Sequence, residues 1–92
     1  MPYHYRTFAI RDSMLEALQR YVATGCHLGD FLRCVVCNDL KGACGHADDD
    51  NLRNLPAFVV WLYNEAPALC HGSQEAYVAW LALHDGGRGR NG

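Results

Sequence analysis

The chain has 92 residues, of which 50% are hydrophobic and 20% charged, so it fits one small globular domain and excludes wholesale disorder. Its formal net charge of −2 excludes the strong basic field that holds nucleic acid or an anionic membrane surface. No apolar run reaches the roughly 20 residues that span a bilayer. Met1 to Ile10 lacks the basic-then-apolar plan of a secretory signal. We therefore expect a cytoplasmic protein that binds neither membranes nor specific nucleic-acid sequences.

The five cysteines are an odd number in a short chain with no export signal. A disulfide framework normally needs an even number and an oxidising compartment. We expect reduced thiols.

The N-terminal region alternates polar and apolar residues, which predicts an extended arm or short strand over Met1 to Arg11. Ser13 and Glu16 form a capping box that predicts the start of a first helix near Ser13. Gly25 is expected to end this helix in a left-handed conformation. At 3.6 residues per turn, the apolar face of the helix consists of Met14, Leu15, Leu18, Tyr21 and Val22.

The remaining sequence predicts three further helices. Gly29 and Asp30 open the second, which is expected to continue to about Ala43. The third should begin at the acidic run Asp48 to Asp50 and end near Tyr63; within it, Pro56 either starts a new helix or introduces a kink. Ser73 can cap the fourth, whose core face is Tyr77, Trp80, Leu81 and His84.

The elements together predict an all-α fold, a compact four-helix domain with an extended N-terminal arm. The domain is expected to cover residues 1–85. The glycine-rich end, residues 86–92, is expected to be a disordered tail.

The most conspicuous chemical motif is Cys34-x-x-Cys37 followed by Cys44 and His46, which are the side-chain types of a tetrahedral zinc site. A continuous second helix, however, separates Cys37 from Cys44 by about 10 Å along its axis. Packed thiols without any cofactor are therefore the favoured interpretation, and a zinc-stabilised structural module is the alternative. Neither these cysteines nor Cys70-His71 has the geometry expected of a nucleophile and its base, so we predict no catalytic residues and no enzyme activity.

Asp39 falls on the core arc of the predicted second helix. A buried carboxylate needs partners, because an unpaired buried charge costs several kcal/mol. Asp39 is thus either a structural brace or part of a small-molecule pocket with Asn38 and Asp48.

The third helix offers a candidate binding surface. Its predicted core side consists of Leu52, Leu55, Phe58, Val59, Leu62 and Tyr63, which leaves an outward strip carrying Arg53, Asn54, Trp61 and Asn64. Trp and Arg dominate protein-binding hot spots, so these four residues are the predicted partner-binding site. The alternative is that Trp61 packs beneath the N-terminal arm as a core residue.

Several blocks between about Arg11 and Leu83 resemble small proteins encoded in bacteriophage and prophage genomes. The most specific are Asn38-Asp39-Leu40 and Leu62-Tyr63-Asn64 with Ala66-Pro67; the others are Asp30-Phe31-Leu32, Ala43-Cys44-Gly45, Ala47-Asp48, Asn51, Leu55-Pro56-Ala57, Cys70, Gly72-Ser73 and Trp80. The family is uncharacterised, so the resemblance implies a biological context and transfers no site residues.

The phage context implies a small accessory protein that binds a bacterial host protein stoichiometrically and inhibits it, as anti-CRISPR and other anti-defence proteins do. The alternatives are a module around Asp39 that sequesters a small signalling molecule, and the zinc module. The oligomeric state stays open, with a homodimer as one alternative.

Overall fold

The computed structural model describes residues 3–85, which form a two-stranded hairpin and a mostly helical body. The elements in chain order are β1 (Tyr3–Tyr5), β2 (Phe8–Ile10), α1 (Asp12–Thr24), α2 (Asp30–Val36), α3 (Leu40–His46), α4 (Asp49–Arg53), α5 (Leu55–Glu65), a short 3-10 helix (Ala68–Cys70) and α6 (Gln74–Asp85). The helical character of the predicted fold is confirmed. The all-α class and the number of four helices are wrong, because the arm is a hairpin and two predicted helices are each divided. The predicted tail, 86–92, lies outside the described residues.

The N-terminal arm is an antiparallel hairpin in which Tyr3 pairs with Ile10 and Tyr5 with Phe8. Alternate residues of a strand share one face, so these four apolar side chains lie on the same side of the ribbon. Ile10 is fully buried, and the other three pack against the core. The hairpin covers one side of α5, which packs against both strands.

The first helix begins at Asp12, with Arg11 as an N-cap residue that makes no side-chain capping bond. The predicted start near Ser13 is confirmed, but the predicted capping box is wrong, since Ser13 is already inside the helix. The predicted end is confirmed: Gly25 has a φ of 70° and its amide donates to the Tyr21 carbonyl.

The predicted continuous helix from Asp30 to Ala43 is wrong. It divides into α2 and α3 at Asn38, which has a left-handed φ of 63°. The Asn38 amide donates to the Val35 carbonyl and the Asp39 amide to the Cys34 carbonyl, the two bonds of a Schellman motif that ends α2. Asp39 then caps α3 by accepting a hydrogen bond from the Gly42 amide at 3.0 Å.

The predicted third helix is also divided, into α4 and α5. Of the two alternatives at Pro56, a new helix and a kink, the structure has the new helix. Asp48 caps α4 by accepting from the Asn51 amide at 2.8 Å, and Pro56 occupies the first turn of α5. Proline fits there because the first amides of a helix have no partner within the helix. The last helix is capped as predicted, since the Ser73 hydroxyl accepts from the Ala76 amide at 3.0 Å.

Tyr21 of α1 is fully buried and contacts two other elements in the core. Its hydroxyl donates to the Cys70 carbonyl at 2.7 Å, and its carbonyl accepts from the Trp80 indole at 3.0 Å. Its ring stacks on Tyr77 with centroids 5.5 Å apart. The first helix, the 3-10 helix and α6 are thereby held together. Within residues 3–85, no helix has the length and apolar character needed to cross a membrane.

Candidate functional site

The predicted partner-binding strip on α5 is not a surface in the structure. Trp61 is only 5% exposed and belongs to the main core cluster. Both strands of the hairpin pack against α5. The alternative interpretation, in which Trp61 is a core residue, is the one that its burial supports.

The other three residues of the predicted strip have separate positions. Asn54 is half-buried at the junction of α4 and α5, where its side-chain oxygen accepts from the Ala9 amide of β2 at 2.9 Å. Arg53 and Asn64 are exposed. Asn54 is thus a structural link to the hairpin, and without Trp61 the strip lacks its hydrophobic centre.

The opposite side of α5 carries the exposed apolar residues. Val59 is 56% exposed and Tyr63 is 84% exposed, although both were predicted to be in the core. On a helical wheel these two residues lie about 150° from the centre of the buried face formed by Ala57, Phe58, Trp61 and Leu62. Val59 and Tyr63 are four residues apart and therefore lie next to each other on the helix surface.

Val59 and Tyr63 border a shallow groove between α5 and the α2–α3 turn, which we call the α5 groove. It consists of two adjoining hollows of about 50 and 260 Å³, both lined by Val35, Asn38 and Val59. The smaller hollow extends to Leu40, which is 68% exposed. The larger extends to Tyr63 and His71. Hollows of this size accept individual side chains of a partner, since whole drug-sized ligands need about 300 Å³ or more.

The groove is weakly charged. Burial lowers the pKa of His71 from its ordinary value, because desolvation disfavours the charged imidazolium. His71 is therefore neutral at pH 7. Asp39, at the other end, is the one acidic side chain among the described residues that line the two hollows.

A second, larger concavity lies between the α2–α3 pair and α6; we call it the α6 cleft. Its volume is about 840 Å³, within the range of small-molecule sites. Ionisable and apolar side chains both line it, namely His27, Leu28, Asp30, Arg33, Cys34, Cys37, Asp39, His46, Tyr77, Val78 and Leu81.

The predicted small-molecule pocket of Asp39, Asn38 and Asp48 does not form as a unit. Asp39 is exposed and lines the α6 cleft, so its predicted position in the core is wrong. Asn38 lines the smaller hollow of the α5 groove, and Asp39 borders that hollow as well as the cleft. Asp48 caps α4 and forms an ion pair with Arg11 at 3.1 Å. The interruption at Asn38 is the cause, because it turns Asp39 from a helical core position into the cap of the next helix.

The alternative zinc set is also not assembled. In the part of the chain that the structure describes, no three His, Cys, Asp or Glu side chains are placed to share a metal ion. Cys34 is buried and Cys37 half-buried in α2 and its cap, whereas Cys44 and His46 are exposed on α3. All five cysteines are free thiols.

The environment of the Cys34-x-x-Cys37 motif disfavours the reactive thiolate form of both thiols. Burial raises the pKa of both the Cys34 and the Cys37 thiol, and the nearby Asp39 carboxylate raises that of Cys34 further. Protonated thiols are poor nucleophiles and poor metal ligands.

Comparison of the chain with protein-family models, with curated proteins and with solved structures finds no match. The two concavities are thus the features from which a function can be argued. Sequence reasoning missed both, although the Asn38-Asp39 pair, a left-handed residue type followed by an N-cap residue type, is a signal for the turn that separates them.

Proposed function

We propose that the protein is a small, non-enzymatic phage accessory protein that binds a bacterial host protein stoichiometrically and inhibits it in the manner of an anti-defence protein. The proposal places the binding surface at the α5 groove instead of the Trp61 strip. The observation that carries it is the cluster of three large apolar side chains exposed around the groove, Leu40, Val59 and Tyr63.

A cluster of this kind favours a protein partner on physical grounds. Exposed apolar residues scattered singly are normal, whereas several around one concavity are typical of interaction sites. Tyrosine is among the residue types that contribute most to protein interfaces, because it buries a large ring and loses little side-chain conformational entropy on binding. The hollows beside it can receive side chains of the partner.

The resemblance to phage-encoded proteins supports the class of partner, a protein of the bacterial host. Stoichiometric inhibition is compatible with the Cys34-x-x-Cys37 motif, since the raised pKa values of these two thiols disfavour catalysis through them. Its affinity would come from apolar burial, because the groove has little charge to pair with a partner.

The test is capture of a host protein from bacterial lysate, its identification by mass spectrometry, and titration of the purified pair by calorimetry. We expect a 1:1 complex in which Tyr63→Ala and Val59→Asp each weaken the affinity at least tenfold, or about 1.4 kcal/mol. The partner's activity should fall in proportion to the amount of protein added.

Val78→Asp is the matched control, because Val78 is 54% exposed on α6 and lines the α6 cleft instead of the groove. It should bind the partner as the wild type does. A purified partner that binds Tyr63→Ala and Val59→Asp with unchanged affinity contradicts the proposal. So does a chain that captures no protein at stoichiometric ratio, or one that covers the groove by forming a stable homodimer in sedimentation experiments.

A further inference from the structure

We propose that the α6 cleft binds a small organic amine, a molecule with a cationic ammonium group on an apolar body. This inference does not require a protein partner at the α5 groove, although Asp39 lines both concavities. It rests on the size of the cleft, on its apolar wall and on the charges that line it.

The size and one wall of the cleft suit the apolar body of such a ligand. A volume of about 840 Å³ accommodates a whole small molecule. Leu28, Val78 and Leu81 line it with aliphatic surface, and Tyr77 lines it as well. Tyr77 is held in place by stacking on Tyr21 and by the hydrogen bond that its hydroxyl accepts from the Leu28 amide at 3.2 Å. This wall is therefore formed before a ligand binds.

The charged side chains of the cleft favour a cation. Two carboxylates, Asp30 and Asp39, line it together with a single cationic side chain, Arg33. Arg33 donates to Asp30 at 3.2 Å, so these two charges largely compensate each other. Asp39 has no ion-pair partner among the described residues. The Asp39 carboxylate therefore gives the lining a negative charge with no cation paired to it, which attracts a cation and repels an anion.

Asp39 is well placed to receive the ammonium group. Its Oδ1 accepts from the Gly42 amide at 3.0 Å, which fixes the carboxylate at the start of α3. The side chain is nevertheless exposed to the cleft. An ammonium group bound there would form a charge-assisted hydrogen bond, the stronger kind. The apolar body would then lie toward Leu81 and Val78 on α6.

The experiment compares two probes with the same apolar body, 2-phenylethylamine and 3-phenylpropionate, in NMR titrations of the isotope-labelled chain. We expect the amine to bind at least tenfold more tightly than the carboxylate, with the largest shifts at the amides of Gly42, Val78 and Leu81. Asp39→Asn should abolish this preference. Asn is as good an N-cap residue as Asp, so the substitution removes the charge and keeps the helix start.

Tyr63→Ala is the control that separates this inference from the proposed function. It alters the α5 groove and should leave amine binding unchanged. The inference is overturned if neither probe binds in the millimolar range, if both bind equally, or if Asp39→Asn binds the amine as the wild type does. None of these outcomes affects the protein-binding role of the groove.

Discussion

Asn38 is the residue on which the shape of both concavities depends. It adopts a φ of 63°, where a β-carbon is normally unfavourable and where Asn and Gly are the residues most often found. We expect Asn38→Ala to lower the free energy of unfolding by about 1 kcal/mol, and Asn38→Gly to change it by less than about 0.5 kcal/mol. Urea denaturation of the three proteins checks this. Equal stabilities of the Ala and Gly variants would show that the strain at this turn is negligible.

The helix break at Asn38 could not be predicted from the sequence, whereas several helix ends could. The capping roles of Ser73 and Asp48 and the end of α1 at Gly25 are predictable, because each depends on the chemistry of a few neighbouring residues. The break at Asn38 was missed because the apolar residues of 32 to 43 also fit one uninterrupted helix. Two competing local structures, a longer helix or a Schellman motif with a new cap, differ by only a few hydrogen bonds.

At the scale of elements, α3 contains two glycines in opposite environments. A β-carbon added to Gly42 would lie 2.8 Å from the Cys34 sulfur and still closer to the Asp39 carboxylate, whereas one added to Gly45 would meet nothing within 4 Å. Gly42 therefore allows α3 to approach α2 closely at the edge of the α6 cleft.

Alanine substitutions at these two glycines should have opposite effects. Gly45→Ala should stabilise the protein by about 0.5 to 1 kcal/mol through helix propensity alone. Gly42→Ala should destabilise it by about 1 to 3 kcal/mol, because overpacking outweighs that gain. Thermal and urea denaturation measure both. Stabilisation by both substitutions would contradict the close packing of α2 and α3.

The orientation of α5 is the second feature that the sequence left undetermined. Apolar residues occupy most of its circumference, so hydrophobic periodicity gives no decisive buried face. Tertiary packing determines the buried face: Trp61 lies in the core, whereas Val59 and Tyr63 are exposed. Residue type alone favoured Trp61 as a binding residue, because tryptophan is common in binding hot spots. In the structure Trp61 is a core residue.

At the scale of the whole molecule, a polar junction ties the end of the hairpin to α4. Arg11 donates to Asp50 at 2.8 Å and to Asp48 at 3.1 Å, and Asn54 accepts from the Ala9 amide. The acidic run Asp48 to Asp50 was predicted only as a helix start. Its second role, pairing with Arg11, joins residues more than 35 positions apart, so no local pattern could reveal it.

This junction predicts how stability depends on pH. The Asn51 amide, and after it the Arg11 guanidinium, lower the pKa of Asp48 below its ordinary value of 3.8. A carboxyl whose pKa is lower in the folded than in the unfolded chain stabilises the fold above its unfolded pKa. That contribution is lost as the pH falls through the folded pKa. The wild type should therefore lose stability as the pH falls below about 4.

Asp48→Asn isolates this contribution, because Asn preserves the cap of α4 but carries no charge for Arg11. We expect the variant to be less stable than the wild type at pH 7, and the two free energies of unfolding to converge as the pH falls toward about 2. Urea denaturation across this range measures both. Asp49→Asn, which removes a neighbouring carboxylate from the same turn, controls for the change in net charge. A constant difference between wild type and Asp48→Asn at every pH would mean that the Asp48 carboxylate contributes nothing through its charge, and that the hairpin is held to α4 by Asp50, Asn54 and apolar packing.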